Sequence, residues 1–581
     1  MNNSPQKNKN ENIRWIFRMT RPWHGMVILL ILISVVTTIL SLLSATWLRT
    51  LIDAATTCNR ELFRSMAVRM VLILAAELIL SVLDEYLSNR TAFQIQIGLQ
   101  QRQFETLLNK DFSRFSEKHT GEWMNRINGD TDGLSKLIAN VVPGLTGVVL
   151  RLIGATWLLL SVSWIFLPAT LLAVLFFAVL TLITRKPMMV RQREFREAQG
   201  KTRSFLIDAL SLMMIVKAFN REAFTKQRGD ELLKTEYGKR IRRFLITLYK
   251  KSLQNTGFRL GTQILVLLGG YYLLNGRFSY GTLMMCYRLL TQIRAPLNSF
   301  GNYINNFFDY IVSIERLREA ESYPDDPAGP VKGDEEISDF YKNRFREIQL
   351  RDVSFSYQDR SADALYTAPK IFSHVDLTIS KQSFTAFTGL TGSGKSTIFK
   401  LMMSLYPLDG GRKVILDQNG TEDELNAAYR RLFAYVPQGN QLMTGSIREV
   451  VTFSDKTDQQ DDEKVREALE IACALDFVEK LPKGLDTQIR EKGLGLSEGQ
   501  VQRLAVARAI YTGRPILLLD EATSSLDEKT ERVLLEHLRA LTDRTVLIVT
   551  HRPAALDICD REVHIDANTV SCRELTTGRE Q

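Results

Sequence analysis

The sequence predicts two joined folds: an all-α bundle of six transmembrane helices, then a soluble α/β domain. Three observations carry this reading. Apolar runs long enough to span a bilayer are confined to the first half, where they come in pairs. Beyond the Pro/Gly/acidic stretch SYPDDPAGPVKGDEE (322–336), short β-rich runs alternate with helical patterns from about Phe345. Charge divides at the same place. Residues 1–320 hold 41 basic and 22 acidic residues, a net of +19, whereas residues 321–581 hold 33 and 43, a net of −10. The expected organisation is a membrane domain over 1–320, a linker over 321–344 and the α/β domain over 345–581.

Taken in order, the first 25 residues are polar and basic, with neither an apolar core nor a small-residue cleavage site, so no cleaved signal peptide is expected. Within them IRWIFRM reads either as a short amphipathic helix on the membrane surface or as a plain basic flank. Six spans follow: Met26–Trp47, Val68–Leu87, Val141–Val162, Phe166–Ile183, a fifth from about Ser252 to Leu274, and Leu283–Phe300. Short loops join one to two, three to four and five to six. The other two connections, roughly 88–140 and 184–251, are long, helical in pattern and charged. They contain RKPMMVRQREFR (185–196) and KRIRRF (239–244). Basic connections stay cytoplasmic, so the termini and both long connections are expected inside. Their low apolar content predicts membrane helices that continue into the cytosol and turn back.

Two classes are excluded early. The basic excess lies wholly in the half with the apolar runs, so a membrane, and not nucleic acid, is the expected partner. The five cysteines have neither paired metal-ligand spacing nor a disulfide framework.

The soluble half carries the chemistry. SFTAFTGLTGSGKSTIFKLMMSL reads as strand, Gly-rich loop and helix, the context a phosphate-binding loop requires. Gly389, Leu390, Thr391, Gly392, Ser393 and Gly394 supply backbone N–H groups. Lys395 reaches the terminal phosphates, Ser396 can ligate Mg²⁺, and Thr397 opens the helix with it. Downstream, PILLLDE is a buried strand delivering Asp520 for the metal shell and Glu521 as a base for the attacking water. Two further strands end at the same edge, one with Gln438 and one with His551, where an α/β sheet binds its ligands.

A second polar turn, Leu496-Ser497-Glu498-Gly499-Gln500, also opens a helix, which makes it a second anion-facing N-terminus in one domain. Together these motifs resemble those of bacterial ABC exporter half-transporters, over nearly the whole chain. GLTGSGKS is similar to the Walker A loop of that family and ILLLDE to its Walker B strand. Gln438 falls in the Q-loop, LSEGQ in the signature loop, SSLD (524–527) in the D-loop, and His551 at the switch histidine. Tyr357 falls where the family stacks an aromatic ring on adenine. DFSRFSEKHTGEWMNRINGD (111–130) and IVKAFNREAF (215–224) resemble its two coupling-helix regions. There are departures: Glu498 replaces the commoner Gly, TQIREKG (487–493) is a loose match, and Lys381-Gln382-Ser383 lacks a usual Gly.

The resemblance implies a transmembrane domain of ABC exporter type followed by a P-loop nucleotide-binding domain, with ATP and Mg²⁺ as ligands. It implies catalytic roles for Glu521 and His551 and a metal shell of Ser396, Gln438 and Asp520. ATP is then gripped by the phosphate loop of one subunit and by Ser497, Gly499 and Gln500 of another. Because all parts are intact here, a homodimer is favoured, with a heterodimer of related half-transporters left open. The implied activity is ATP-driven export of a small amphipathic drug, lipid or peptide across the cytoplasmic membrane. An importer, an ATP-gated channel or a channel regulator on the same scaffold remain the alternatives.

The sixth span carries a polar stripe of Arg288, Thr291, Arg294, Asn298, Asn302, Asn305 and Asp309, and Arg151 and Arg259 add charge to spans three and five. Such charge faces a bundle interior or a water-filled cavity. Two readings stand. Either these residues, with Arg151, Arg288, Arg294 and Asn298 foremost, line a cationic cavity for an amphipathic anion, or the arginines pair with Glu77 or Asp84 and hold the bundle together.

Overall fold

The computed structural model describes residues 12, 14–118, 120–162, 164, 166–326, 332–357, 370–439, 441–453, 461–489, 495–566 and 569–575. The chain forms two compact units. One is Met1–Glu105 with Gly121–Glu321, and the other is Thr106–Thr120 with Ser322–Gln581.

The first unit is helical. Its long helices are α1 (His24–Thr56), α2 (Arg60–Leu108), α3 (Val142–Val162), α4 (Phe166–Ser211), α5 (Glu222–Leu274) and α6 (Tyr280–Ser322). Helices α2, α4 and α5 contain 49, 46 and 53 residues. At 1.5 Å per residue each is about 70–80 Å long, far beyond the roughly 30 Å hydrocarbon core. The charged connections are therefore continuations of membrane helices. Among the described residues, Arg21–Thr56, Arg60–Leu108 and Thr120–Val162 are long and apolar enough to cross a bilayer. The fifth expected span is less apolar because Gln254, Asn255, Arg259 and Gln263 interrupt it.

Small residues let the first and third helices meet closely. A Cβ at Gly147 would lie 2.3 Å from Ser34 Oγ, and one at Gly154 would lie 2.3 Å from Leu42 Cδ1. Two glycines seven apart share one helix face, so this is a continuous close-packed seam. Asp53, near the end of α1, caps the start of α6: its carboxylate accepts the Gly281 N–H and the Ser279 hydroxyl, both at 2.9 Å. At the other end, buried Arg126 donates to Glu122 at 2.7 Å, to Glu319 at 2.8 Å and to the Arg316 carbonyl at 3.0 Å, tying α6 to the segment before α3. Within IRWIFRM, residues 14–19 are helical, and one side of the turn is packed into the bundle. Trp15 and Met19 are buried in a cluster with Ile95, Leu99, Leu134 and Leu317, and the Trp15 indole donates to Glu321 at 2.7 Å.

The second unit is built on two large sheets, with a third ladder of two short strands, Gly445–Ser446 and Gln488–Ile489. The strands are β1 (Phe345–Phe355), β2 (Phe372–Ser380), β3 (Phe384–Gly389), β4 (Gly410–Asp417), β5 (Glu422–Glu424), β6 (Phe433–Val436), β7 (Ile516–Asp520), β8 (Thr545–Val549), β9 (Arg561–Asp566) and β10 (Thr569–Glu574). An antiparallel sheet runs β2-β1-β4-β5, and a larger sheet runs β10-β9-β3-β8-β7-β6. In the larger sheet β6, β7, β8, β3 and β9 are parallel. Its central strands alternate between two cores. Leu517, Leu519, Val546 and Ile548 face one side, and Ile516, Leu518, Leu547 and Val549 the other. Both faces are covered, which is why these strands are apolar throughout. All the strand ends that carry sequence motifs consequently emerge at one edge.

Helix α7 (Lys395–Met402) follows β3. Its carboxyl end is held by cations, as its dipole favours: Lys413 donates to the Leu401 carbonyl at 2.8 Å, and Arg430 Nε to that of Met403 at 2.8 Å. Burial pushes the Lys413 ammonium down to about 8, with Glu424 opposing the shift. A folded pKa below the unfolded one means that the unfolded chain binds the extra proton between the two. Stability should therefore rise as pH increases from about 8 to about 10. Thermal unfolding of the full chain in detergent should show this rise, and Lys413→Met should remove it.

Candidate nucleotide site

The phosphate loop leaves the end of β3 and enters α7 with its glycines in conformations other residues avoid. Gly389, Gly392 and Gly394 have φ of 132°, 85° and 102°. Space forbids a side chain at two of them: a Cβ at Gly389 would sit 2.1 Å from the Ile565 carbonyl oxygen, and one at Gly394 would sit 2.6 Å from the Phe372 ring. The turn leaves the first N–H groups of α7 without helical partners, at the positive end of the helix. The Ser393 hydroxyl is buried with no hydrogen-bond partner. Lys395 folds over the same loop, its Nζ donating to the carbonyls of Gly389 at 2.8 Å and Leu390 at 2.9 Å. Burial lowers the pKa of its ammonium, opposed by Glu521 and Asp520. Thr391 is exposed at the loop tip, and buried Thr397 meets the Tyr357 hydroxyl at 3.2 Å.

Beside the loop, β7 ends in the two acids. Asp520 is buried and accepts hydrogen bonds from the hydroxyls of Ser396 at 2.8 Å and Tyr435 at 3.1 Å. Burial pushes its carboxyl up, while those hydroxyls pull it back. Glu521 leaves the strand with φ of 53°, which turns its carboxylate away from Asp520's course and toward Gln438. Gln438 Nε2 donates to Glu521 Oε2 at 2.8 Å. His551 is exposed just beyond β8, after Thr550, whose N–H bonds the Phe387 carbonyl at 3.2 Å. Lys395, Ser396, Asp520, Glu521 and Gln438 thus form one connected group.

The signature turn is built differently. Ser497 caps helix α8 (Glu498–Tyr511), accepting the Gln500 N–H at 3.3 Å while the Gln500 side chain accepts the Ser497 N–H at 2.9 Å. This reciprocal box fixes the turn. A Cβ at Gly499 would lie 2.8 Å from the Ser525 carbonyl oxygen, so that position is closed to larger residues. Ser497 and Glu498 are exposed. Among the described residues, Ser497, Gly499 and Gln500 make no hydrogen bond to the phosphate loop of their own chain.

Two residues escaped the sequence reading. Buried Gln502 donates to the Glu521 carbonyl at 2.7 Å and to Ser524 Oγ at 3.2 Å, and it accepts the Ser525 N–H at 3.0 Å. Arg552 donates to the carbonyls of Leu526 at 2.8 Å and Ser524 at 2.6 Å and to Glu531 at 2.6 Å. A glutamine inside the apolar run VQRLAVARA was the available signal for the first. Nothing in the sequence marked the second.

In the membrane unit, Arg288 and Arg294 leave α6 in different directions. Arg288 donates to Ser44 of α1 at 3.0 Å, and Arg294 donates to Asn255 of α5 at 2.8 Å and lies 5.7 Å from the Phe258 ring centroid. The Arg151 Nε is buried with no partner. Among the described residues, none of these arginines pairs with Glu77 or Asp84, so the ion-pair reading is not what the structure holds. The side chains of Asn298, Asn302, Asn305 and Asp309 lie outside the description.

A glycine-rich loop feeding a helix, with paired acids at the neighbouring strand end, defines the nucleotide-binding domain of a P-loop protein, here on the same chain as a membrane helical unit. Residues 27–297 match the ABC transporter transmembrane region family, and residues 372–524 match the ABC transporter family. The chain belongs to the ABC transporters of the exporter type, with a transmembrane region followed by an ATP-binding domain over these residues. It is similar to ABC transporter B family member 1 of Dictyostelium discoideum, with 26% identity over 97% of this chain, and it spans 60% of that protein's length. Against the ATP-dependent lipid A-core flippase of Xylella fastidiosa it is 28% identical over 79% of this chain and 75% of the flippase. A bacterial Atm1-family ABC exporter solved with ATP bound shares the fold, with a TM-score of 0.77 at 22% identity over 95% of this chain and 94% of that one.

If Gln502 positions Glu521, Gln502→Leu should lower ATPase turnover about tenfold, the equivalent of one net hydrogen bond, and leave the KM for ATP within about twofold. Steady-state kinetics in lipid nanodiscs measures both.

Proposed function

We propose that this chain forms a homodimer in the cytoplasmic membrane that exports an amphipathic substrate at the expense of ATP, with its termini and ATP-binding domain in the cytosol. The membrane domain would cover 1–320 and the ATP-binding domain 345–581, although the loop 106–120 packs with the second unit. One observation carries the reading. The same chain holds a complete phosphate loop with its acids and an intact signature turn that its own loop does not use. Two copies can therefore complete two sites, each with the loop of one protomer and Ser497, Gly499 and Gln500 of the other.

Mg²⁺ fits the residues present. It is a hard cation that prefers oxygen, and Ser396 Oγ and Asp520 Oδ1 stand 2.8 Å apart with the Gln438 amide nearby in the same group. Ser396, Asp520 and Gln438 would hold it, and when bound it would neutralise charge on the phosphates. Tyr357 would stack on adenine, the loop N–H groups and Lys395 would bind the phosphates, and Glu521 would orient and deprotonate the attacking water. His551 would contact the γ-phosphate.

To turn an equilibrium from 99:1 to 1:99, ATP must favour the closed dimer by about 5.5 kcal/mol, which contacts from two protomers to one nucleotide can supply. The helix Met213–Ala218 at the second cytosolic tip and the residue that follows it carry exposed apolar groups, with Met214 81% and Phe219 74% exposed. Such a knob needs cover, and the partner's ATP-binding domain is the proposed cover. At the first cytosolic tip, Phe112 packs edge to face on Tyr406. Among the described residues Arg151, Arg288 and Arg294 have no carboxylate partner, which favours an anionic amphiphile as the transported class.

Glu521→Gln should cut ATP hydrolysis by about 10²–10⁴-fold while nucleotide binding persists. A loss of less than about tenfold would count against the assigned role. Joint replacement Arg288→Ala with Arg294→Ala should abolish ATPase stimulation by an anionic lysophospholipid and spare that by a neutral analogue. Unchanged stimulation by both would reject the anionic class.

A further inference from the structure

The geometry points to Tyr406 as a positioning residue that makes the first cytosolic tip respond to the adenine base of ATP. This rests on the proposal that Tyr357 stacks on adenine. The tip, the short helix Phe112–Phe115, belongs to the same compact unit as the ATP-binding residues. Its flanks are fixed by the backbone: the Asp111 N–H donates to the Pro324 carbonyl at 3.1 Å, and the Asp326 N–H to that of Asn109 at 2.9 Å. Asp326 in turn pairs with Arg430, whose Nη2 reaches it at 3.0 Å and the Ser404 carbonyl at 2.7 Å. The tip is thereby referenced to the carboxyl end of α7, while phosphate is read at the amino end.

Between these fixed points runs a chain of rings. Tyr357 and Tyr406 stand edge to face with centroids 5.2 Å apart at 89°, and Tyr406 meets Phe112 in the same way at 5.8 Å and 89°. The Tyr406 hydroxyl lies 3.1 Å from Ser116 Oγ. Tyr357 is set by its hydroxyl on Thr397 and by the Phe355 ring at 5.0 Å. Edge-to-face contact depends on relative ring orientation. A base lying against Tyr357 fixes that ring, Tyr406 must keep its edge contact, and Phe112 shares the other side of Tyr406. Phosphate alone leaves Tyr357 as it was. Base occupancy is therefore felt at residues 106–120, whereas filling the phosphate loop alone is not.

Hydrogen exchange of full-length Glu521→Gln protein in nanodiscs, with magnesium and either ATP or inorganic tripolyphosphate, tests this. Both ligands should slow exchange at 389–396, but only ATP should slow it at 106–120, by on the order of tenfold. Tyr406→Ala should keep the protection at 389–396 and lose the ATP response at 106–120, and Tyr406→Phe should restore it. Because Tyr406 is half-buried, Phe112→Ala, at a more exposed position, provides a second variant expected to lose the same response. A merely structural role would loosen 106–120 equally with either ligand. An equal response to tripolyphosphate, or an unchanged ATP response in both Tyr406→Ala and Phe112→Ala, would overturn the inference. Absence of ATP protection at 389–396 in the parent protein would overturn the nucleotide-site reading itself.

Discussion

An α-helix cannot bond its own first N–H groups, and the second unit is arranged around leaving those of α7 free. Glycines with positive φ bring the chain from β3 into the helix without covering its amino end. Lys395 is held over the turn by two carbonyls of that turn. The opposite end of the helix is closed by Lys413 and Arg430, so on this helix the demand for negative charge is at the loop. The parallel sheet then brings Asp520, Glu521 and Gln438 to the same edge because all these strands run one way.

The signature turn answers to the same physics from the other side. Ser497 and Gln500 satisfy one another, which holds the turn rigid before any ligand arrives, and Ser497 stays exposed. Gln502, on the helix that this turn opens, bonds the Glu521 carbonyl and the Ser525 N–H, while Arg552 bonds the carbonyls of Ser524 and Leu526 in the D-loop. The helix that this turn opens is thereby tied to the backbone of the acid by a 2.7 Å hydrogen bond. In the proposed dimer, two half-sites of this kind on one chain would account for the presence of two anion-facing helix ends.

Much of this was legible in sequence because it is local. The phosphate loop, the buried strand ending in Asp520-Glu521 and the LSEGQ turn each need particular residue types at fixed spacing, and each folds as its sequence implied. What was not legible depends on tertiary placement. Arg552 sits beside the exposed His551 but acts on the D-loop, and no local pattern records that. The polar stripe on α6 looked like one surface by helical angle. Its two arginines stand at the stripe's edges, and long side chains carry them to different helices. The first tip's contact, Phe112 edge to face on Tyr406, joins residues far apart in the chain, which no local pattern records. The N-terminal turn was ambiguous because burying Trp15 requires helices that come more than seventy residues later.

The central claim is that one nucleotide is completed by two chains, and a mixed cross-linking measurement reaches it directly. Chains carrying Ser393→Cys alone and Ser497→Cys alone, with the native cysteines replaced, are combined in nanodiscs, so any bridge between the two new thiols must be intermolecular. The account predicts a disulfide-linked pair that forms with ATP and is scarce without it. Failure to trap that pair at saturating ATP, in protein that still hydrolyses ATP, would contradict it.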